Sequence, residues 1–424
     1  MMMRYEKYKH SGAKWLGKIP EGWKVKKLGA ILTEFSEKNH ANKPLLSITR
    51  EKGVILRDID DDSENHNFIP EDLSGYKLLK KGQFGMNKMK AWQGSYGISD
   101  FDGIVSPAYF VFDITNDFSP AYFHKAIRSK FYLAHFASAS DGVRIGQWDL
   151  SKNRMKEIPF LVPSLSEQQA IAEFLDDKTA KIDQLIAIKE KEINLLKERR
   201  QILIQKAVTK GLDPNVKLKD SGVDWIGEIP EHWEVLPGLK VYKENKTNNI
   251  GMKEEVVLSL SYGDIVIKPK EKLVGLVPES FETYQLVKPG DIIIRCMDLQ
   301  NDKVSLRTGI SLNHGIITNA YLNLNIINNN NSDYFYNFLY TLDTTKVIYK
   351  LGTGLRQNLS YKDFKRLPVI VPTTHEQKQI VNFIGQLKLK IGSAISLKQQ
   401  EIEKLKEYKT ILIDNVVTGK IKVS

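Results

Sequence analysis

At 424 residues the chain is too long for one ordinary hydrophobic core, and its 42% apolar and 27% charged content sets aside collagenous and wholly disordered classes. The net charge of +11 favours a polyanionic partner, because Lys and Arg that neutralise phosphates release counterions. The single cysteine, Cys296, excludes an intrachain disulfide and a Cys-rich zinc site; with no apolar run of about eighteen residues and no signal-peptide core in MMMRYEKYKHSGAKW, a soluble cytoplasmic protein is expected.

In chain order, residues 1–163 hold short apolar runs such as FVFDI, punctuated by Gly, Asn, Asp and Pro. This is the pattern of strands and turns, with one helical stretch at 120–137. Residues 164–212 change to a helical period: Ile171, Leu175, Ile182, Ile186, Ile193, Leu196 and Leu203 form a stripe along one face. Pro163 precedes this helix, Ser166 with Gln169 is a candidate capping box, and Gly211 marks its end. Residues 213–372 return to strands (DIIIRCM, LPVIVP), with a helical stretch at 332–351. Residues 373–424 repeat the stripe as Ile380, Ile384, Leu387, Ile391, Ile395, Ile402, Leu405 and Leu412, between Pro372 and Gly419. A helix of forty residues runs about 60 Å, and one narrow apolar stripe needs a partner. The matching stripes point to each other, as an antiparallel coiled coil. Lys189 and Lys398 interrupt both seams at the equivalent place, where a polar residue fixes register or a lysine snorkels to the surface.

The chain is written twice. SGAKWLGKIPEGW (11–23) recurs as SGVDWIGEIPEHW (221–233), and YKLLKKGQFGMNKM (76–89) answers YQLVKPGDIIIRCM (284–297). GIVSPAYFVF (103–112) answers GIITNAYLNL (315–324), LSKNRMKEIPFLVP (150–163) answers LSYKDFKRLPVIVP (359–372), and EQQAIAEFL (167–175) answers EQKQIVNFI (376–384). The expected architecture is α+β: two tandem α/β modules with mostly antiparallel sheet (1–163 and 213–372), separated by two long helices (164–212 and 373–424) in a pseudo-twofold duplication. Two similar surfaces of this kind suit two half-sites on one DNA duplex. They equally suit a protein-binding scaffold with duplicated modules that touches no DNA.

The recurrent SGxxWxGxIPExW openings, the helical starts VPSLSEQQAIAEFLDDKTAKID and VPTTHEQKQIVNFIGQLKLKI, and the segments KKGQFGMNKMKAWQGSYGIS and PGDIIIRCMDLQNDKVSLRT resemble the specificity subunit of type I restriction-modification enzymes over essentially the whole chain. The resemblance implies two target-recognition domains, each reading half of a bipartite asymmetric DNA sequence. It also implies paired helical regions that dock two adenine methyltransferase subunits, with restriction and translocase subunits as further partners. It implies no cofactor on this chain: S-adenosylmethionine, Mg and ATP belong to the partners.

The residues themselves carry no catalytic signature. There is no Pro-Pro dipeptide for an N/D-P-P-Y/F motif, no phosphate-binding G-x-x-x-x-G-K-S/T loop, and the eight His residues are scattered. DIDDDSE (58–64) reads as a solvated acidic loop, and Cys296 as a buried structural thiol. Base edges are read by Arg or Lys to guanine and by Asn or Gln to adenine. Two loop pairs supply such groups at equivalent places. After the strands ending at Met89 and Met297 come Lys88, Lys90, Trp92, Gln93, Ser95 and Tyr96 in one copy, and Arg295, Asp298, Gln300, Asn301, Lys303 and Arg307 in the other. Trp92 is expected to pack rather than to stack on a base. The second pair offers Arg144 and Gln147, and Arg356, Gln357 and Asn358. Different polar chemistry in the same slot is what two different half-sites require.

Overall fold

The computed structural model describes residues 3–58, 69–144, 147–269, 271, 280–299, 305–351 and 358–423. Two compact units emerge: Met1–Lys189 with Gln399–Ser424, and Glu190–Lys398.

In unit 1 the elements that place the site are strands β1 (Lys24–Lys27), β2 (Leu32–Phe35), β3 (Leu46–Thr49), β4 (Gly53–Leu56), β5 (Phe84–Met86), β6 (Tyr96–Ile98) and β7 (Phe110–Ile114). Helices α1 (Pro120–Ile127) and α2 (Lys130–Ser138) follow, then the hairpin β8 (Ser140–Arg144) and β9 (Gln147–Leu150), strand β10 (Pro159–Val162) and the long helix α3 (Leu165–Lys210). The main sheet is antiparallel in the order β2–β7–β5–β6, and β1 pairs with β10. Phe84, Tyr96 and Phe112 of this sheet are buried with Tyr122, Phe123, Tyr132, Phe136 and Phe160, so aromatic burial supplies much of the core.

Unit 2 repeats the plan with β11 (Glu234–Pro237), β12 (Tyr242–Glu244), the hairpin β13 (Leu258–Ser261) and β14 (Asp264–Ile267), β15 (Ile292–Arg295), β16 (Thr308–Ile310) and β17 (Tyr321–Ile326). Helix α4 (Ser332–Thr344), β18 (Pro368–Val371) and the long helix α5 (Thr374–Val417) complete it. Its sheet runs β12–β17–β15–β16, strand for strand the order of unit 1, and β11 pairs with β18 as β1 does with β10. The duplication read from the sequence is therefore a duplication of topology.

Both shorter helical stretches are interrupted. The stretch at 120–137 breaks at Ser129, whose extended backbone (φ −61°, ψ 150°) starts α2 afresh. The stretch at 332–351 ends at Thr344; Lys346 turns into the left-handed region (φ 64°), and a 3-10 turn, Val347–Lys350, follows.

The long helices span 46 and 44 residues. Their starts correct one expectation, because the cap at α3 is Ser164 rather than Ser166: its Oγ accepts the Glu167 N–H at 3.3 Å. At α5 the box is complete. Thr373 Oγ1 accepts from the Glu376 N–H (3.3 Å), and Glu376 Oε2 accepts from the Thr373 N–H (3.2 Å). The Gln one residue further on is fully buried in both copies. Gln168 accepts from Ser119 N–H and donates to the Asp117 and Pro163 carbonyls, while Gln377 accepts from Asn331 N–H and donates to Asn330 Oδ1 and the Pro372 carbonyl. Each Gln thus ties the first turn of its long helix to the loop that leads into α1 or into α4.

Within unit 1, ion pairs Asp183–Lys409 (2.7 Å) and Lys189–Glu401 (2.6 Å) show α3 and α5 running antiparallel, since position rises on one helix as it falls on the other. Unit 2 contains the matching Glu192–Lys398 pair at 2.8 Å. Ile182, Ile193, Ile391 and Ile402 are buried along the stripes that the sequence marks. Each helix contributes one half to each unit. The end of α5 (Leu412, Val416, Val417) therefore completes the core of unit 1, and the end of α3 (Ile204, Ala207, Val208) that of unit 2. Gly419 (φ 72°) lies against Pro20 and Trp23, and Gly211 (φ 75°) against Pro230 and Trp233, so the repeated IPExW is the seat of a helix end.

Candidate nucleic-acid interface

The two candidate loops of each module are far apart in sequence and adjacent in space. In unit 1 the Leu150 N–H donates to the Lys88 carbonyl (3.0 Å), Lys88 Nζ lies 3.1 Å from Asp149 Oδ2, and the Trp92 and Trp148 rings are 5.0 Å apart. The segment after β5 thus lies along β9. In unit 2 the equivalent bond joins the Leu359 N–H to the Cys296 carbonyl (2.8 Å), and the Asp298 N–H donates to Asn358 Oδ1 (3.0 Å). One backbone link recurs in both modules, and the side chains around it differ.

Several candidates stand at a surface. Lys90 and Asn358 are exposed, while Lys88, Gln93, Arg295 and Asp298 are half-buried; Asp298 holds a left-handed backbone (φ 60°) fixed by the Asn358 contact. Trp92 packs on Trp148, as expected. Arg144 and Gln147 are paired backbone positions where the β8–β9 hairpin closes, at the opposite end of the ladder from the Ser140–Leu150 pair. Gln300, Asn301, Lys303, Arg356 and Gln357, and residues 59–64 of the acidic run, lie outside the described residues.

Three candidates are corrected. Tyr96 is wholly buried in β6, its ring 4.5 Å from that of Phe136, and Ser95 beside it is also buried. Arg307 is buried too: Nη1 donates to the Met297 carbonyl (2.7 Å), Nη2 to the Asp298 carbonyl (2.9 Å) and Nε to Tyr349 Oη (3.2 Å). Its guanidinium serves the segment that carries the candidates and presents nothing to a duplex. Asp343 beneath accepts the Arg307 and Thr308 N–H groups, and burial pushes its carboxyl above the ordinary range.

Sequence reasoning missed the corresponding tie in unit 1. Arg128, at the end of α1, donates through Nη1 to the Gly94 (3.1 Å) and Tyr96 (2.5 Å) carbonyls and through Nη2 to those of Arg50 (2.8 Å) and Glu51 (2.9 Å). It binds the β3–β4 turn to the segment after β5. An arginine closing an apolar helix was the available signal. One turn earlier, His124 Nδ1 accepts the Ile98 N–H at 3.1 Å. Burial, with Arg128 and Lys125 nearby, lowers this imidazole to about 4, so it is neutral near pH 7.

Cys296 is buried, and burial pushes its thiol up to about 12, as an inert structural cysteine requires. Among the described residues no group of three or more His, Cys, Asp or Glu is placed to hold a metal ion, and no helix is long and apolar enough to cross a membrane.

Comparison with known proteins gives one family. The family model described as the type I restriction modification DNA specificity domain matches residues 20–198 and again 240–407. A Methanocaldococcus jannaschii protein, the type I restriction enzyme MjaVIII specificity subunit, is 25% identical over 292 residues, covering 65% of this chain and 64% of that protein. A second protein of that organism, designated a type I restriction enzyme MjaX specificity subunit, is 26% identical over 290 residues, covering 66% and 63%. The match therefore spans just under two thirds of each relative. Among solved structures, a chain from work on complex assembly and conformational transition of the type I R-M system aligns with TM-score 0.66 at 13% identity, over 94% of this chain and 98% of that one. The HsdS subunit from Thermoanaerobacter tengcongensis aligns with TM-score 0.54 at 14% identity, over 95% and 98%. At such identities these structures establish the shared fold.

Proposed function

The chain belongs to the type I restriction-modification DNA specificity family, and on that footing we propose that it is the non-catalytic subunit that gives an adenine methyltransferase complex its DNA address. The observation that carries this reading is the recurrent link from Leu150 to Lys88 and from Leu359 to Cys296. It presents, in both modules, the same pair of segments with different polar side chains. Residues 1–163 and 213–372 are the two target-recognition domains, and each reads one half of a bipartite, asymmetric double-stranded sequence. The bases are read in the groove by groups such as the exposed Lys90 and Asn358 and the half-buried Gln93, while phosphate contacts set position.

The long helices (164–212 and 373–424) dock the partners. Both carry a second row of apolar residues that their mutual seam leaves outside: Ile188 and Ile202 on α3 are each 55% exposed, and their repeat equivalents Leu397 and Ile411 on α5 are 61% and 49% exposed. Two copies of this row suit two methyltransferase subunits. Those subunits hold S-adenosylmethionine, and restriction and translocase subunits supply Mg- and ATP-dependent steps, in the cytoplasm where the chromosome lies. No step of the chemistry falls to this chain.

The test is a genome-wide map of methylated bases in the host, with and without the gene. Loss of one methylated motif, split by an unspecified spacer, is the expected result. An unchanged map, with the methyltransferase subunit shown to be expressed, overturns the reading in favour of a scaffold that binds protein through its duplicated modules.

A further inference from the structure

Unit 1 contains a cleft of about 590 Å³ lined by Arg50, Trp92, Gln93, Gly94, Arg128 and Leu133. It lies where the β3–β4 turn meets the segment after β5, beside the candidate readout loop. None of the lining residues is acidic. Arg128 is held by four backbone carbonyls, neutral groups that orient the guanidinium without cancelling its charge. Arg50, at the hairpin turn, has a side chain 63% exposed, and its Nε donates to Glu51 Oε1 at 2.8 Å. Glu51, equally exposed, is the carboxylate beside both arginines, and such a surface pair exchanges readily for another anion. The Trp92 indole N–H is shut off from solvent without a hydrogen-bond partner among the described residues. That N–H is not available to the cleft, but two guanidinium groups and the Gln93 amide line it, and such a lining suits an anionic oxygen ligand.

Unit 2 is built differently at the same place. Its hairpin turn is Tyr262–Gly263, with Tyr262 89% exposed, and the position matching Arg128, counted from the helix caps Ser119 and Asn331, is Tyr340. The charge balance runs the same way: residues 1–165 carry 25 basic and 19 acidic side chains, residues 211–373 carry 19 of each.

Resting on the DNA reading above, we infer that this cleft seats a backbone phosphate of the half-site bound by residues 1–163, with Arg50 making the contact from the rim and Arg128 fixing the floor, and that the second module carries no arginine at the positions matching these two. Unequal electrostatic grip follows: the first half-site is held by two guanidinium charges that the second module lacks at the matching positions. Glu51 acts as the internal counter-ion that the phosphate displaces from Arg50.

The experiment measures equilibrium binding of the full chain, assembled with its methyltransferase subunit, to a duplex carrying the mapped motif and to a scrambled duplex, over a range of salt. Arg50→Gln is expected to lower the slope of log K against log salt by about one and to weaken both duplexes about five- to tenfold at 0.1 M salt, leaving discrimination between them unchanged. This substitution keeps the Arg50 carbonyl that Arg128 binds, and an unaltered unfolding midpoint checks the fold. Glu51→Gln is expected to tighten both duplexes severalfold. Tyr262→Gln in the other module is expected to leave the slope unchanged. An unchanged slope in Arg50→Gln, a loss confined to one base pair of the motif, or a loss of methyltransferase assembly instead of DNA binding each overturns the phosphate site while the DNA reading stands. Wild-type protein that binds duplex with no salt dependence overturns both.

Discussion

Lys189 on α3 and Glu401 on α5 meet at 2.6 Å, and the second copy repeats the contact with the helices exchanged, Lys398 of α5 meeting Glu192 of α3 at 2.8 Å. The carboxylates are 49% and 44% exposed, so each pair contributes only about 0.2–1 kcal/mol. Their use is register, because antiparallel helices sliding by one turn set each lysine against the wrong neighbour. Lys189→Glu is expected to lower stability by about 1 kcal/mol, and Glu401→Lys on that background to recover most of it. A double-mutant cycle by urea unfolding reads the coupling. Zero coupling at low salt removes the register role.

The buried Gln168 is expected to matter more than any exposed pair. Gln168→Leu strands the Ser119 N–H and the Asp117 and Pro163 carbonyls, each an unsatisfied buried group costing about 1–3 kcal/mol. A loss of about 3 kcal/mol in urea unfolding is the expected outcome, with Gln377→Leu matching it. The neighbouring exposed Gln169→Leu is the control and is expected to fall within about 0.5 kcal/mol of wild type.

Two glycines, one just past the end of α5 and one inside it, give substitutions of opposite sign. Gly419 sits at φ 72°, and an added Cβ meets Pro20 at 2.5 Å, so Gly419→Ala is expected to unseat the end of α5 and cost more than about 1 kcal/mol. Gly385 lies inside α5 with nothing within 4 Å of such a Cβ. Gly385→Ala is expected to stabilise by about 0.5–1 kcal/mol. Thermal unfolding midpoints moving the same way in both variants contradict the account.

These elements show where sequence patterns carry information. The paired openings, the stripes from Ile171 to Leu203 and from Ile380 to Leu412, and glycines 211 and 419 all reflect local periodicity or backbone geometry, and the structure places them as read. The break at Ser129 and the cap at Ser164 are not marked in the sequence, because propensity marks a helical stretch better than its boundary. That the end of α5, rather than that of α3, seats on Trp23 is a contact across almost four hundred residues. No local pattern encodes it.

His124 gives a pH prediction. Its folded value of about 4 lies below the unfolded value of 6.5, so between these the unfolded chain binds the extra proton and stability falls as pH is lowered. The loss begins near pH 6.5 and reaches about 3 kcal/mol once pH falls below 4, as protonation breaks the bond from the Ile98 N–H. His124→Gln keeps an acceptor and is expected to lose this slope. Urea unfolding of both proteins at pH 7 and pH 5 reads the difference, and parallel slopes contradict the assignment.

At the interface the legible and illegible residues differ by one physical fact, whether a polar side chain faces solvent or neighbouring carbonyls. Lys90, Asn358 and Arg307 look alike in a Gly- and Asn-rich loop, yet Arg307 spends its donors on Met297, Asp298 and Tyr349. Which acceptors a guanidinium meets depends on how segments 9 to 42 residues from Arg307, and 32 to 78 residues from Arg128, fold back on it, and no local pattern marks that.

Base readout by independent modules yields the sharpest functional outcome. Lys90→Ala or Gln93→Ala is expected to relax single positions in one half of the methylated motif, and Asn358→Ala in the other. Each is expected to lose about 1–3 kcal/mol of discrimination, roughly five- to 150-fold, in competition binding with duplexes altered one base at a time. Ser95→Ala and Tyr96→Phe change side chains with no exposed surface, so the motif is expected to stay intact in both. The half-sites should respond separately because each set of side chains is anchored by its own backbone link, Leu150 to Lys88 or Leu359 to Cys296. A substitution in residues 1–163 that alters both halves of the motif shows that the modules do not read independently.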